Sequence, residues 1–367
     1  MNRFRPPLLL LVLLLAAVPA FARDADTATA HYEAGEYERA LEAARDWAKS
    51  EPRAGDAWYM QGMALLALDR ADEAVRPLRR STDLAPDDAY NWGELGRAEL
   101  LVGDRDAALE AWSRSLALDG VVYGEVVSRW YTADQDAVSA LAAVAWTEAE
   151  PKDHEAWFVF GASLLFLDRA DEALPALRRS LDLLEQGAGD EDLDERTRRR
   201  AFVQAHLGFA LHATGDPDGA VDAWRACARL ARSECKDAFE EHYLRDRFAP
   251  VLAAGIALRE QAPAYDEGWY YEGSALFHLG RRADAVAPLR EATVLDDEDY
   301  VNHFMLGYAL LRSGDPSGAL APLERALALE SSDADVHDLL AEAYEAVGRE
   351  SDAARMRREA VRVRAED

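Results

Sequence analysis

Lysine is almost missing from this sequence. Three occur (Lys49, Lys152, Lys236), so nearly all of the 41 basic residues are arginine. There is no Asn-x-Ser/Thr sequon. Both absences suit a GC-rich bacterial source. Glycine and proline are few for 367 residues, half of the residues are apolar and 30% are charged, which excludes a disordered composition. Cysteine is limited to Cys227 and Cys235, with no C-x-x-C, so no redox motif is present. The histidines (His31, His154, His206, His212, His242, His278, His303, His337) form no H-E-x-x-H or other metal spacing. His206 and His212 fall on different faces of a helix. There is no G-x-S-x-G, P-loop or dinucleotide fingerprint. We therefore expect no catalytic residue, no metal and no cofactor.

The N-terminal segment MNRFRPPLLLLVLLLAAVPAFA has Arg3 and Arg5, an apolar run from Leu8 to Val18, and a small-x-small end at Ala20-Phe21-Ala22. That pattern predicts a cleavable export signal over 1–22. The run is short for a membrane span, and no later stretch is apolar enough for one. No stable membrane insertion is expected after cleavage, and a bacterial periplasmic or secreted location follows. Loss of Arg3 and Arg5 leaves 39 basic against 69 acidic residues, a net charge of −30. Such a surface repels nucleic acid. It suits cationic partners or divalent ions, or simply keeps a large exposed surface soluble.

Cys227 and Cys235 lie at the end of one expected helix and in the turn after it. In an oxidising compartment they could pair. Equally, Cys227 could be a small core residue and Cys235 a free thiol.

Most of the information lies in repetition. AWYMQGMALLALDRADEAVRPLRRSTDL (57–84) aligns without gaps on AWFVFGASLLFLDRADEALPALRRSLDL (156–183), and a third copy runs GWYYEGSALFHLGRRADAVAPLREATVL (268–295). A shorter period lies inside. Gly62 is followed by Gly96 and Gly273 by Gly307, each 34 residues on, while Gly161 and Gly208 are separated by that period plus an insertion. Periods near 34 call for a repeat architecture. Apolar spacings of 3 and 4 give each helix one buried stripe. Gly62, Gly96, Gly161, Gly208, Gly273 and Gly307 let helices approach closely, as do Ala74, Ala108, Ala173, Ala220, Ala285 and Ala319 on the following helices. The large side chains of Trp58, Trp92, Trp157 and Trp269 are expected to fill the remaining gap. Pro77, Pro175, Pro288 and Pro322 lie inside the second helices and are read as packing features.

The fixed offsets carry a resemblance. W-x2-Q-G (58–62) is followed by Leu65, Ala74, Leu78, Ser81 and Pro86, and W-x2-L-G (92–96) by Glu99, Ala108, Trp112, Ser115 and Gly120. This resembles the tetratricopeptide repeat, a pair of antiparallel helices with the pattern W-x2-L-G-x2-Y, A-x3-F, P. Matching repeats run at roughly 55–88, 89–120, 154–185, 201–232, 266–299 and 300–333, with a weaker one at 334–367. Three poorer repeats at 24–54, 120–153 and 235–265 share Tyr32, Tyr131 and Tyr243 and end in Pro52, Pro151 and Pro263. They lack the regular Gly and Trp. The fold class expected is all-α: a right-handed α-solenoid of about ten antiparallel helix hairpins, a superhelix like that of the family. It would span 23–367, as three blocks (24–120, 121–232, 233–333) and a capping hairpin at 334–367. The inserted loop QGAGDEDLDERTR (186–198) does not match a calcium loop and is read as solvated. The arginine-rich last helix is read as an end cap, with a monomer favoured.

The resemblance also implies a site. In the family the first helices line the concave face through positions 2, 5, 9, 12 and 13 of the repeat. Carried over, these are Tyr59, Phe158, Tyr270 and Phe304 at position 5, Phe209 and Tyr308 at position 9, and Tyr32, Leu165 and Phe277 at position 12, with Phe166 at 13. The family's carboxylate clamp is poorly matched. Asn91 and Asn302 fall at position 3, but cations are few beyond Arg97 and Arg312. The expectation is a non-catalytic scaffold of the bacterial envelope, whose groove of Tyr59, Phe158, Phe209, Tyr270, Phe277, Phe304 and Tyr308 docks a basic or apolar peptide or helix. The alternative is an acidic ion-binding protein or an accessory subunit of an envelope enzyme or secretion complex.

Overall fold

Tight turns punctuate the chain at one recurring place. Gly35, Gly103, Gly215, Gly280, Gly314 and Gly348 take positive φ there, and Asp69, Asp168 and Asp246 take φ of 56–59°. This left-handed residue ends one helix so that the next can fold back on it. LLALDRADEA and LLFLDRADEA are such turns. Asp69 and Asp168 supply the left-handed residue, and Arg70 and Arg169 brace Glu73 and Glu172 in the first turn of the next helix, with paired contacts of 2.6–2.8 Å.

The computed structural model describes residues 20–133, 135–187 and 193–366. Among these there are twenty helices and no strand. The chain divides into two compact units at Pro151/Lys152. The first holds α1 (Ala20–Glu33), α2 (Tyr37–Ser50), α3 (Gly55–Ala67), α4 (Ala71–Leu84), α5 (Ala89–Leu101), α6 (Arg105–Leu118), α7 (Gly120–Thr132) and α8 (Asp136–Ala149). The second holds α9 (His154–Phe166), α10 (Ala170–Gln186), α11 (Leu193–Ala213), α12 (Pro217–Leu230), α13 (Arg232–Leu244), α14 (Phe248–Gln261), α15 (Asp266–His278), α16 (Arg282–Leu295), α17 (Tyr300–Arg312), α18 (Pro316–Leu329), α19 (Ala334–Ala346) and α20 (Glu350–Glu366). Within each unit the helices form antiparallel hairpins stacked in chain order, the layout of an α-solenoid. Within each unit, odd-numbered helices touch the next odd-numbered helix, so each unit presents one row of first helices. Most of the expected export segment, and Asp190, Glu191 and Asp192 of the acidic loop, lie outside the described residues. No described helix is long and apolar enough to cross a membrane.

The core follows a register that corrects one expectation. A methyl group on Gly62, Gly96, Gly161, Gly208, Gly273 or Gly307 would collide with Leu78, Trp112, Leu177, Trp224, Leu289 or Leu323 respectively, each on the partner helix. Those residues, all fully buried, fill the gap. Trp58, Trp92, Trp157 and Trp269 do not; they are half-buried. The indoles of Trp58, Trp92 and Trp269 donate to the carbonyls of Pro52, Pro86 and Pro263 at 2.9–3.1 Å and pin the chain entering the first helix. One poorer repeat keeps the packing device after all, since Gly124 on α7 lies under Trp146 of α8.

Much of the acidity is structural. Asp88, Asp104, Asp119, Asp153, Asp216, Asp299, Asp315 and Asp333 each cap a helix N-terminus by accepting from its free backbone N–H groups. Ser81, Ser115 and Ser180 donate to the carbonyls of Gly55, Ala89 and His154 and close three hairpins at the open end. Cys227 takes the equivalent place in a fourth. It is buried and joined to Cys235 by a disulfide, Cα–Cα 5.9 Å, which ties α12 to α13.

Candidate partner-binding faces

The aromatics assigned to the groove separate into two groups. Tyr59, Phe158, Tyr270, Phe304 and Tyr308 are half-buried on the row of first helices. Phe209 and Phe277 are core residues, 2% and 7% exposed, which corrects their assignment. Phe209 is enclosed by Trp224 and Phe239 and stacked on His242, with ring centroids 3.6 Å apart. Phe277 is covered by Tyr308 from the next first helix at 4.7 Å. Position 9 or 12 of a repeat is open only where the following helix leaves it open.

In the first unit the face is built around a buried charge. Glu94 on α5 is 1% exposed. It accepts from Arg129 of α7 at 2.8 Å, and the Arg97 guanidinium lies 2.8 Å away, off-line for a hydrogen bond. Arg97 also donates to Gln135 at 3.1 Å. Glu99, buried on the same helix, pairs with Arg79. Burial, then the Glu94 carboxylate, hold the phenols of Tyr59 and Tyr32 above their ordinary pKa, so both stay neutral hydrogen-bonding groups.

In the second unit the corresponding face is aromatic. Phe158 of α9 packs 5.4 Å from Phe202 and edge-on to His206 at 5.2 Å. His206 is fully buried. Its Nε2 lies 3.1 Å from Glu241 and its Nδ1 3.0 Å from the Phe202 carbonyl. Both neighbours are acceptors, so both contacts are hydrogen bonds only when the ring carries two protons. His242, 1% exposed, has no hydrogen-bond partner on either nitrogen among the described residues. Beside this cluster a cleft of about 320 Å³ has Phe158, Phe202 and Val203 as its apolar wall, with Glu155, Glu195, Glu234, Arg198 and Arg199 around it. Those charges pair among themselves.

Further along the second unit, Tyr243, Tyr270 and Tyr271 wall a recess of about 220 Å³. Its rim carries Glu240, Asp266, Glu267 and Asp299 against a single cation, Lys236. Asn302, buried at position 3, donates to Asp266 at 2.8 Å and orients it. Burial raises the Tyr270 pKa, with Glu240 and Asp299 adding to the rise. Carboxylate oxygens of Asp266, Asp296 and Asp299 lie within 4.8 Å of one another.

A family model described as tetratricopeptide repeat matches residues 26–89 and 304–363. Over those two stretches the chain carries tetratricopeptide repeats. They span the first two and the last two hairpins, and between them the same glycine register recurs at Gly96, Gly161, Gly208 and Gly273. None of the curated proteins matches the chain. Among solved structures, MamA aligns with a TM-score of 0.34 at 16% identity, over 56% of this chain and 95% of that one. A MamA fragment from Desulfovibrio magneticus RS-1 gives 0.36 at 13%, over 46% and 96%. YrrB, described as a TPR protein with an unusual peptide-binding site, gives 0.32 at 17%, over 61% and 93%.

The repeat pattern pointed to Tyr59, Phe158 and Tyr270 but missed Glu94, Arg129, Glu241 and His242. A signal existed for the last. Aligning the poorer repeats on Tyr131 and Tyr243 sets His242 where the first unit has Trp130, a buried core position.

Proposed function

We propose that this protein is a non-catalytic scaffold that docks a basic, partly apolar peptide or helix against the row of first helices in its second unit. The observation that carries this is the recess at Tyr270. Three tyrosine rings and four carboxylates offset by one lysine form a neutral-walled, negatively rimmed seat for a lysine or arginine side chain. Phe158, a half-buried aromatic at the same repeat position, supplies an apolar anchor point on another first helix of the second unit. The N-terminal segment supports placement in a bacterial envelope, which fractionation and N-terminal sequencing of the mature chain would test.

The test for docking is an array of short peptides, basic-aromatic against acidic-aromatic, read by fluorescence anisotropy at low and moderate salt. Basic peptides should bind and weaken with salt. A Tyr270→Ala, Asp299→Asn variant should lose that binding while melting normally. Preference for acidic peptides, or binding unchanged in the variant, would overturn the reading. The three clustered aspartates favour a second reading, cation binding. A calcium-dependent rise in melting temperature that Asp296→Asn abolishes would decide for it.

A further inference from the structure

The two adjacent histidines of the second unit differ in what surrounds them. Glu241 faces His206 directly at 3.1 Å. Among the described residues no carboxylate is paired with His242. Its ring lies 5.3 Å from that of His206, is stacked on Phe209 and is 4.8 Å from Phe166. Among the described residues neither of its nitrogens has a hydrogen-bond partner. A buried polar ring without partners is costly and calls for an explanation.

The charges acting on His242 among the described residues are His206 from α11 and Arg245 and Arg247 from the turn after α13, all cationic or able to become so. Arg245 lies over the Phe166 ring at 3.6 Å and 3.7 Å from Glu241. Arg247 donates to the Phe166 carbonyl and to Asp168, both at 2.9 Å. The nearby carboxylates, Glu241 and Asp168, are thus engaged with His206, Arg245 and Arg247. On α15, His278 is 2.8 Å from the Tyr243 hydroxyl, one residue along from His242.

We propose that this pair is an acid-operated release for the second unit's face. While His242 is neutral it packs α13 against α9 and α11. When it takes up a proton, the cation sits among aromatic rings with two arginines near it and no counter-ion, and the packing loosens. The surface affected is the one that Phe158 and Phe202 offer a partner, so the consequence for docking rests on the function proposed above; the release itself does not. Burial, then His206 and the two arginines, hold the His242 pKa well below its ordinary value, which sets the release at acid pH.

The test is amide hydrogen exchange on the full chain without any partner, at pH 7.5, 6.0 and 5.0, expressed as protection factors. In the wild type, protection across α9, α11 and α13 should fall below about pH 6.5, by at most tenfold per pH unit for one proton. Residues 25–133 serve as the internal reference. His242→Phe, which keeps the stack on Phe209, should hold its protection to pH 5.0. Glu241→Gln should deepen the loss, because it removes a carboxylate that faces both His206 and Arg245. Equal losses in wild type and His242→Phe would overturn the proposal, as would an unchanged wild type. Should His242→Phe fail to fold, the wild-type His242 ring signal followed by NMR decides: titration in step with the loss of protection supports the release, and titration without that loss sinks it. If release is seen and the peptide array is blank, only the docking function falls.

Discussion

Glu94 and His206 occupy the same place in the repeat, two residues before Gly96 and Gly208. Arg129 and Glu241 follow them by 35 residues and pair with them at 2.8 and 3.1 Å. The contact between successive first helices is thus kept while its polarity is reversed. In the first unit the buried member is a carboxylate and its partner an arginine; in the second it is an imidazole and its partner a carboxylate. The neighbours change in step. Arg97 corresponds to Phe209, Tyr59 to Phe158 and Trp130 to His242. The repeat fixes where side chains meet, and the residue types decide whether the meeting point is a carboxylate among arginines or an imidazole among aromatic rings.

The shared core should respond alike in the two units, and that is the largest effect expected. Trp112 and Trp224 are both fully buried against Gly96 and Gly208. Replacing either with alanine should cost about 3–5 kcal/mol, measured by denaturant unfolding. A large inequality would break the comparison at its base. Trp157→Ala should cost clearly less, because that side chain is half-buried.

The ion pairs should respond unequally. Glu94→Ala leaves the largely buried Arg97 without its carboxylate and should cost about 3 kcal/mol, the low end for a broken buried pair because Arg129 can return to water. Glu241→Ala removes one hydrogen-bond partner from the buried His206 ring, and should cost about 1 kcal/mol at pH 7.5. The same unfolding experiment checks both, and equal costs would mean that polarity is irrelevant to the contact.

How far all this was legible depends on range. Hairpins, turns and the small-residue positions are local patterns, so Gly62 and the LDR turns could be read directly. Which large residue fills the space over each glycine depends on the partner helix, and the Trp beside the glycine drew the assignment away from Leu78 and Trp112. Phe209 and Phe277 were misplaced for a related reason. Helical spacing shows that a side chain faces the first-helix row, but only the next helix, through Phe239 or Tyr308, decides whether it is covered. The buried histidines belong to no motif, and their meaning appears only once the two units are compared position by position.

Acid should separate the units. The folded pKa of His242 lies below its unfolded value near 6.5, so the unfolded chain binds more protons just below that pH. Stability from this group is therefore complete above about pH 6.5 and falls as pH drops toward the folded pKa, by up to about 1.4 kcal/mol per unit. Trp130, which stands in the place of His242 in the first unit, carries an indole that does not titrate. Exchange-derived opening energies, compared between the units at pH 7 and 5.5, should show the second falling more. The difference should vanish in His242→Phe.

The smallest expected difference lies in the repeated decapeptide itself. Asp69 and Asp168 both hold a left-handed backbone that glycine adopts without strain, and six equivalent turns use glycine. Asp69→Gly should therefore stabilise the first unit by about 0.5–1 kcal/mol. Asp168→Gly gains the same relief but removes the acceptor of Arg247 at 2.9 Å. Asp168 is largely exposed, so that pair is worth about 0.5 kcal/mol and offsets most of the gain. Losing it also takes away one of the two carboxylates that hold the arginines around His242. The melting temperature of Asp168→Gly should thus stay near wild type at pH 7.5 and fall below it at pH 5.5, whereas Asp69→Gly should melt higher at both. A matching gain in the two variants at both pH values would show that the turn in the second unit is independent of the histidine cluster.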